Sequence, residues 1–255
     1  MHKGAYGDVS NEVSILAKVL AGEEVLQEQF EIAMENLGET LSHQMSFYNA
    51  SYLALPYMLK VLEKKIEEND FQWQLQMFSS LGMIIMCDVP RNHYKKSVDE
   101  AIVENYNNCI KVIAEIEKKF IMEHLEEIKE LDDNEKSYLY VTALAVLGDR
   151  EAAFVLTSFM FNEIYVACGA CEEYNEEMPM ISDGEIEEIE PAESVIGKWD
   201  GQSFDDTYVW YSNFLHVLGD EEAVNALSYY YGTYTCPECG EKALVMDVAK
   251  KYFEG

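Results

Sequence analysis

The chain has 255 residues, 49% of them hydrophobic, with 48 acidic side chains against 18 Lys and Arg and a formal net charge of −30. There is ample apolar material for a core, while the charge repels phosphate backbones and anionic lipid, which excludes nucleic acid and membrane surfaces as expected partners. No run reaches the roughly 18 apolar residues of a membrane span and Met1 to Gly7 lacks the layout of a signal peptide, so a cytoplasmic protein is expected.

Taken in chain order, the apolar pattern is helical nearly throughout. Val13, Leu16, Val19 and Leu20 share one helical face, Leu53, Tyr57, Val61 and Leu62 a second, and Ile102, Tyr106, Cys109, Ile110 and Ile113 a third. Helices are expected near 10–21, 23–37, 50–68, 71–87, 95–118, 120–130, 134–147, 150–166, 206–217 and 220–231. Asn49 is a candidate cap for the third of these, and Pro56 inside it is expected to start or kink the helix, because proline lacks a donor and crowds the preceding turn. Helices joined by such short turns predict hairpins stacked in a row: an all-α protein, an α-solenoid forming one domain over 1–255, with N-terminal repeats in 1–130.

Repetition is visible in the second half. "VLGDREAAFVL" (146–156) and "VLGDEEAVNAL" (217–227) are identical at seven of eleven positions, and each follows an aromatic-rich helix. Gly148 and Gly219 suit a left-handed helix ending and Asp149 and Asp220 a following cap, so each copy reads as helix, tight turn, helix. The two repeats span 131–171 and 206–239. Between them lies an acidic insertion, 172–205; the stretch 172–206 holds 13 acids and one Lys. Its charge density favours a mostly solvated excursion, with Ile181, Ile186, Ile189, Val195 and Ile196 able to form short strands.

Each repeat ends in a C-x-x-C pair, Cys168 with Cys171 and Cys236 with Cys239, separated by 64 residues. Two such pairs supply the number and bite of sulfur ligands that a tetrahedral metal requires, and four protein ligands make a site structural, so one structural Zn²⁺ is expected on these four residues. The proline and glycine around "CPECG" favour a knuckle whose amides point at sulfur. Because both pairs follow the second helix of a repeat, equivalent places on neighbouring repeats would bring them together. A dithiol redox centre, two disulfides and inert thiols are the competing readings; a redox pair would more naturally sit at a helix start.

Cys87 and Cys109 lie in apolar settings and are expected in the core. His43, in "LSHQMSFYN", has polar neighbours and is read as structural or capping, with a hydrolase using His43 and nearby acids as the alternative. His93 and His124 are expected at the surface, and His216 beside the second repeat turn. Tyr208, Trp210, Tyr211, Tyr229, Tyr230, Tyr231 and Tyr234 make an aromatic-rich region that can serve as core or as a binding surface. Dinucleotide, phosphate-loop, zinc-protease and esterase motifs are all missing from the sequence, so no enzyme is expected.

With "AYGDVSNEVSILAKVL", "LSHQMSFYNASYLALPYMLKVLEKK" and "ALAVLGDREAA", the chain resembles a bacterial family of HEAT-like helical repeat proteins. The matching positions are Ala5 to Gly7, His43 to Ala50 and Ala54 to Leu59, within 5–70, together with the two LGD repeats; 90–130 matches only in helical character. The resemblance implies an α-solenoid acting as a protein-interaction scaffold, with no catalytic residues to carry over. By analogy it also implies a toxin-immunity role, whereas HEAT-like DNA glycosylases use basic surfaces that this chain lacks. The expected function is therefore a non-enzymatic scaffold with a structural zinc and an acidic surface for a basic protein partner.

Overall fold

The computed structural model describes residues 3–4, 7–43, 46–89, 98–156, 166–171, 174–175, 181–182, 185–186, 195–199, 201 and 206–254. Among these are eleven helices and nine strands of two or three residues, so the chain is mostly helical, as the periodicity predicts. None of the described helices is long and apolar enough to cross a membrane. The chain divides into two compact units, one within Met1–Glu123 and Ala145–Arg150, the other within His124–Leu144 and Glu151–Gly255.

The first unit opens with a short antiparallel pair, β1 (Lys3–Gly4) and β2 (Gly7–Asp8), followed by α1 (Ser10–Ala21), α2 (Gln27–Ser42), α3 (Asn49–Glu68), α4 (Phe71–Met86) and α5 (Glu100–Glu123). α3 is its centre and packs against α1, α4 and α5. The cause is in the sequence: Ala50, Ala54, Leu55, Met58, Val61 and Leu62 recur at helical spacing and are all buried. α3 ends on Asn69, in the left-handed region at φ 56°, a conformation asparagine tolerates better than most residues. The next residue, Asp70, caps α4 by accepting from the Trp73 amide at 3.0 Å.

One local expectation needs correction, and one is narrowed. The cap position of α3 falls on Tyr48, and Asn49 is already helical. Pro56 neither starts nor ends the helix, which runs through it from Asn49 to Glu68. The buried stripe on both sides of Pro56 holds the helix together by packing, which outweighs one lost hydrogen bond.

One charged residue sits in this core. Glu117 of α5 is fully buried and neither carboxylate oxygen has a hydrogen-bond partner among the described residues. Its spacing from Ile113, Phe120 and Ile121, all buried, places it on the apolar face of α5.

Beyond α5 come α6 (Leu125–Lys129), α7 (Asp133–Leu147), α8 (Arg150–Val155), α9 (Asp206–Leu218) and α10 (Glu221–Tyr230). Both LGD turns are two residues long, leaving Gly148 and Asp149 between α7 and α8, and Gly219 and Asp220 between α9 and α10. Gly219 takes φ +77°, and Asp220 caps α10 by accepting from the Ala223 amide at 2.9 Å. The other Asp220 oxygen accepts from the Tyr140 hydroxyl at 2.9 Å. Asp220→Ala removes both bonds and is expected to cost about 1–2 kcal/mol; a urea titration in which this variant unfolds with the parent would refute that account.

The described part of the acidic insertion forms short strands at four of the five expected residues. Ile181 and Ile186 pair across β5 (Ile181–Ser182) and β6 (Glu185–Ile186), and Val195 and Ile196 belong to β7 (Val195–Gly197). Ile189 lies outside the described residues. β7 pairs antiparallel with β8 (Thr233–Thr235), which pairs in turn with β9 (Lys242–Leu244). The chain beyond β7 stays attached: the Trp199 amide donates to the Ser228 carbonyl at 2.8 Å, and the Trp199 ring lies 4.3 Å from that of Tyr208.

Gly232 makes this three-stranded sheet possible. A Cβ built there would stand 1.8 Å from the Gly197 carbonyl oxygen and 2.9 Å from its carbon, backbone atoms that cannot rotate away. Gly232→Ala is accordingly expected to destabilise the second unit by about 3 kcal/mol or more, at the upper end of overpacking costs, read as a lowered denaturant midpoint.

Candidate metal centre

The four cysteines of the two C-x-x-C pairs come together, and the elements that carry them differ from those expected. Neither pair closes a helix. β3 (Val166–Ala167) leads into Cys168 and pairs with β4 (Tyr174–Asn175), so the first pair occupies a hairpin loop. β8 leads into Cys236 and pairs with β9, so the second does likewise. The innermost paired residues are Ala167 with Tyr174 and Thr235 with Lys242, which leaves loops 168–173 and 236–241 of equal length, each with cysteine first and fourth. In each case a short strand leads directly into the knuckle.

Local chemistry shapes the knuckles. Gly240, at φ +73°, turns the second loop back so that its amide donates to the Cys236 carbonyl at 2.9 Å, while the Cys236 amide donates to Glu241 at 2.8 Å. In the first loop the Ala170 amide points at the Cys168 sulfur from 3.4 Å. Such amides stabilise negative sulfur. At Cys236 burial raises the thiol pKa, but the amides of Cys239 and Glu238 and the neighbouring thiols of Cys168 and Cys239 outweigh it and bring it down to about 6. Cys239 moves the other way: the Glu241 backbone lowers its pKa, but desolvation and the thiols of Cys168 and Cys236 outweigh that, so the low thiol of this pair is Cys236.

The sulfurs interdigitate between knuckles. Cys168 Sγ lies 3.6 Å from Cys239 Sγ, and Cys171 Sγ lies 3.7 Å from Cys236 Sγ. All four lie within 4.8 Å of one another. Four sulfurs at about 2.3 Å from a central tetrahedral ion would be separated by about 3.8 Å, so the arrangement fits a metal ion with only small adjustments. All four cysteines are free thiols; Cys168 and Cys236 are buried, Cys171 is half-buried and Cys239 exposed. This is the one cluster of metal-ligating side chains among the described residues.

A residue that the sequence reading did not pick out completes the surroundings. α11 (Val245–Glu254) follows β9 and packs against β3, with Val245, Met246, Val248 and Ala249 buried. From it Lys251 donates to the Cys168 carbonyl at 3.2 Å and faces the Gly169 carbonyl at 3.4 Å. A cation bonded to a knuckle backbone both fixes the loop and offsets the negative charge of clustered thiolates. The signal was available: Val245, Val248, Ala249 and Tyr252 recur at helical spacing.

The other candidates stand apart from this cluster. Cys87 and Cys109 are buried in the first unit, and burial pushes the Cys87 thiol up to about 12, with the nearby Asp88 charge adding to it. His43 is half-buried at the C-terminal end of α2, where its carbonyl accepts from the Ser46 amide at 3.1 Å. His93 lies outside the described residues. The side chain of His124 is only 16% exposed, so it is no simple surface residue, and its Nδ1 lies 3.3 Å from Glu127. His216 does flank the second repeat turn, with Nδ1 2.9 Å from Glu221. Most of the aromatic-rich region is core: Tyr208, Tyr211, Tyr229, Tyr230, Tyr231 and Tyr234 are buried.

No protein-family model matches the chain, and neither a curated protein nor a solved structure matches it.

Proposed function

We propose that this chain is a non-enzymatic protein-binding scaffold of HEAT-like helical hairpins, an α-solenoid whose C-terminal part is clamped by one structural Zn²⁺. The carrying observation is the convergence of Cys168, Cys171, Cys236 and Cys239, from two separate hairpins, onto a space of tetrahedral dimensions. Four thiolates saturate a tetrahedral ion and leave no position for water or substrate, so the metal serves architecture. Soft sulfur ligands in this geometry suit zinc ahead of the harder divalent ions.

Metal analysis of the purified, reduced protein should find about one zinc per chain, and none after Cys168→Ser with Cys171→Ser or after Cys236→Ser with Cys239→Ser. Reduced protein that is folded and metal-free would overturn the site. The formal charge of −30 supports a basic protein as the partner, since complementary charge accelerates and selects association. A cognate inhibitor of a toxin is the narrower form of this reading, supported by the likeness of the LGD repeats and the His43 to Ala50 stretch to HEAT-like proteins. Co-expression that neutralises a toxin encoded nearby is its test.

A further inference from the structure

The second unit carries an aromatic stripe at the rim of its core, half-buried at Trp210 and Phe214. α9 buries Tyr208, Tyr211, Leu215 and Leu218 on one face. Beside that face, Asp206, Trp210 and Phe214 follow one another at intervals of four residues, with Val217 continuing the row. Exposure grows along the way outward: Trp210 and Phe214 are half-buried, Asp206 is exposed, and Val217 is 58% exposed. The Trp210 and Phe214 rings lie 5.6 Å apart and only 8° from parallel, both are stacked with buried Tyr211 at 6.1 and 6.0 Å, and Phe214 is perpendicular to Tyr140 at 6.1 Å. The pair is thus a pre-set, partly solvated aromatic surface with a carboxylate one helical turn away. Flat aromatic faces attract cations, and a planar guanidinium can stack on such a face while bonding a neighbouring carboxylate, which an ammonium cannot do as well.

We infer that the Asp206, Trp210, Phe214 stripe of α9 is the docking surface for an arginine-bearing segment of a basic protein. The occupant is chosen by charge complementarity with a chain at −30 and by the pairing of parallel rings with a carboxylate. The inference rests on the basic-partner reading above and names where on the chain that partner is gripped.

The test uses the full chain with two defined probes, a nona-arginine and a nona-lysine peptide, titrated by calorimetry at physiological ionic strength. The parent should bind nona-arginine at least 5-fold more tightly than nona-lysine. Trp210→Leu should remove that preference, and so should Asp206→Lys, a change at an exposed position that leaves the core intact, with folding checked by circular dichroism. If both variants keep the parent's preference, or the parent has none, binding is diffuse charge attraction: the stripe is overturned while a basic partner stands. If neither peptide binds the parent, the basic-partner reading falls and the stripe with it.

Discussion

Protein in which Cys236 and Cys239 are both serine should melt more than about 10 °C below the parent and lose its sensitivity to chelators. The reason is that a central ion would be the direct tie between the two knuckles, added to the packing of α11 on β3 and the bond from Lys251 to the Cys168 backbone. Each knuckle is presented by a hairpin of only two or three residue pairs, and isolated hairpins of that size are marginal in water. Without metal, four thiols, two of them buried, face one another through weak sulfur contacts at 3.6 and 3.7 Å. Structural zinc supplies roughly 10 kcal/mol or more of apparent folding energy in small zinc domains, and a domain of this size shifts its melting temperature by about 2–4 °C per kcal/mol. Retaining half of that contribution gives the stated shift. Differential scanning calorimetry with and without EDTA is the measurement. A double-serine variant that melts with the parent, or a parent indifferent to EDTA, would reject a structural metal.

The second large effect concerns Glu117, and its sign is opposite to that of most carboxylates. Burial raises its pKa from 4.5 to about 8, because nothing in the core replaces the water that would solvate its charge. In the unfolded chain the carboxyl has its ordinary value. Below about pH 4.5 both states hold the proton and the residue has no linkage cost. Between 4.5 and 8 the unfolded state has released a proton that the folded state keeps, so stability falls as pH rises; above about 8 the loss is complete and constant. At pH 7 this amounts to about 3 kcal/mol, from about 1.4 kcal/mol for each pH unit. Glu117→Met should therefore stabilise the protein by about 2–3 kcal/mol at pH 7 and by little at pH 4.5. Because 47 other acids also titrate, the quantity to read is the difference between variant and parent at each pH. A difference that does not grow between pH 5 and 8 would show that the carboxyl finds water or a partner.

The two residues illustrate different kinds of legibility. Glu117 occupies a position that the helical period assigns to the core along with Ile113, Phe120 and Ile121, yet a charged residue reads as exposed unless the whole face is plotted. The cysteine pairs were legible in the other sense: their type and spacing named the chemistry, and their sulfurs do meet. Their setting was not. Strands of two or three residues are too short to show an alternating pattern, so β3, β4, β8 and β9 left no trace against a helical background. β7 was legible as a short strand from Val195 and Ile196, but its pairing was not, since its partner β8 lies beyond two intervening helices.

By itself the sequence determined what depends on neighbours along the chain: the helical character, the two LGD turns with their glycine and aspartate, the ligand chemistry of the C-x-x-C pairs, and the acidic charge. Tertiary structure alone decided which separate segments share a site. It set the hairpins that carry the sulfurs, the bond from Lys251 to the Cys168 backbone, the close approach of Gly232 to Gly197, and the burial of Glu117. The division has a physical cause. Periodicity and capping are local and repeat often enough to be counted, whereas a contact between distant segments is made once, by packing and backbone pairing that no single segment encodes.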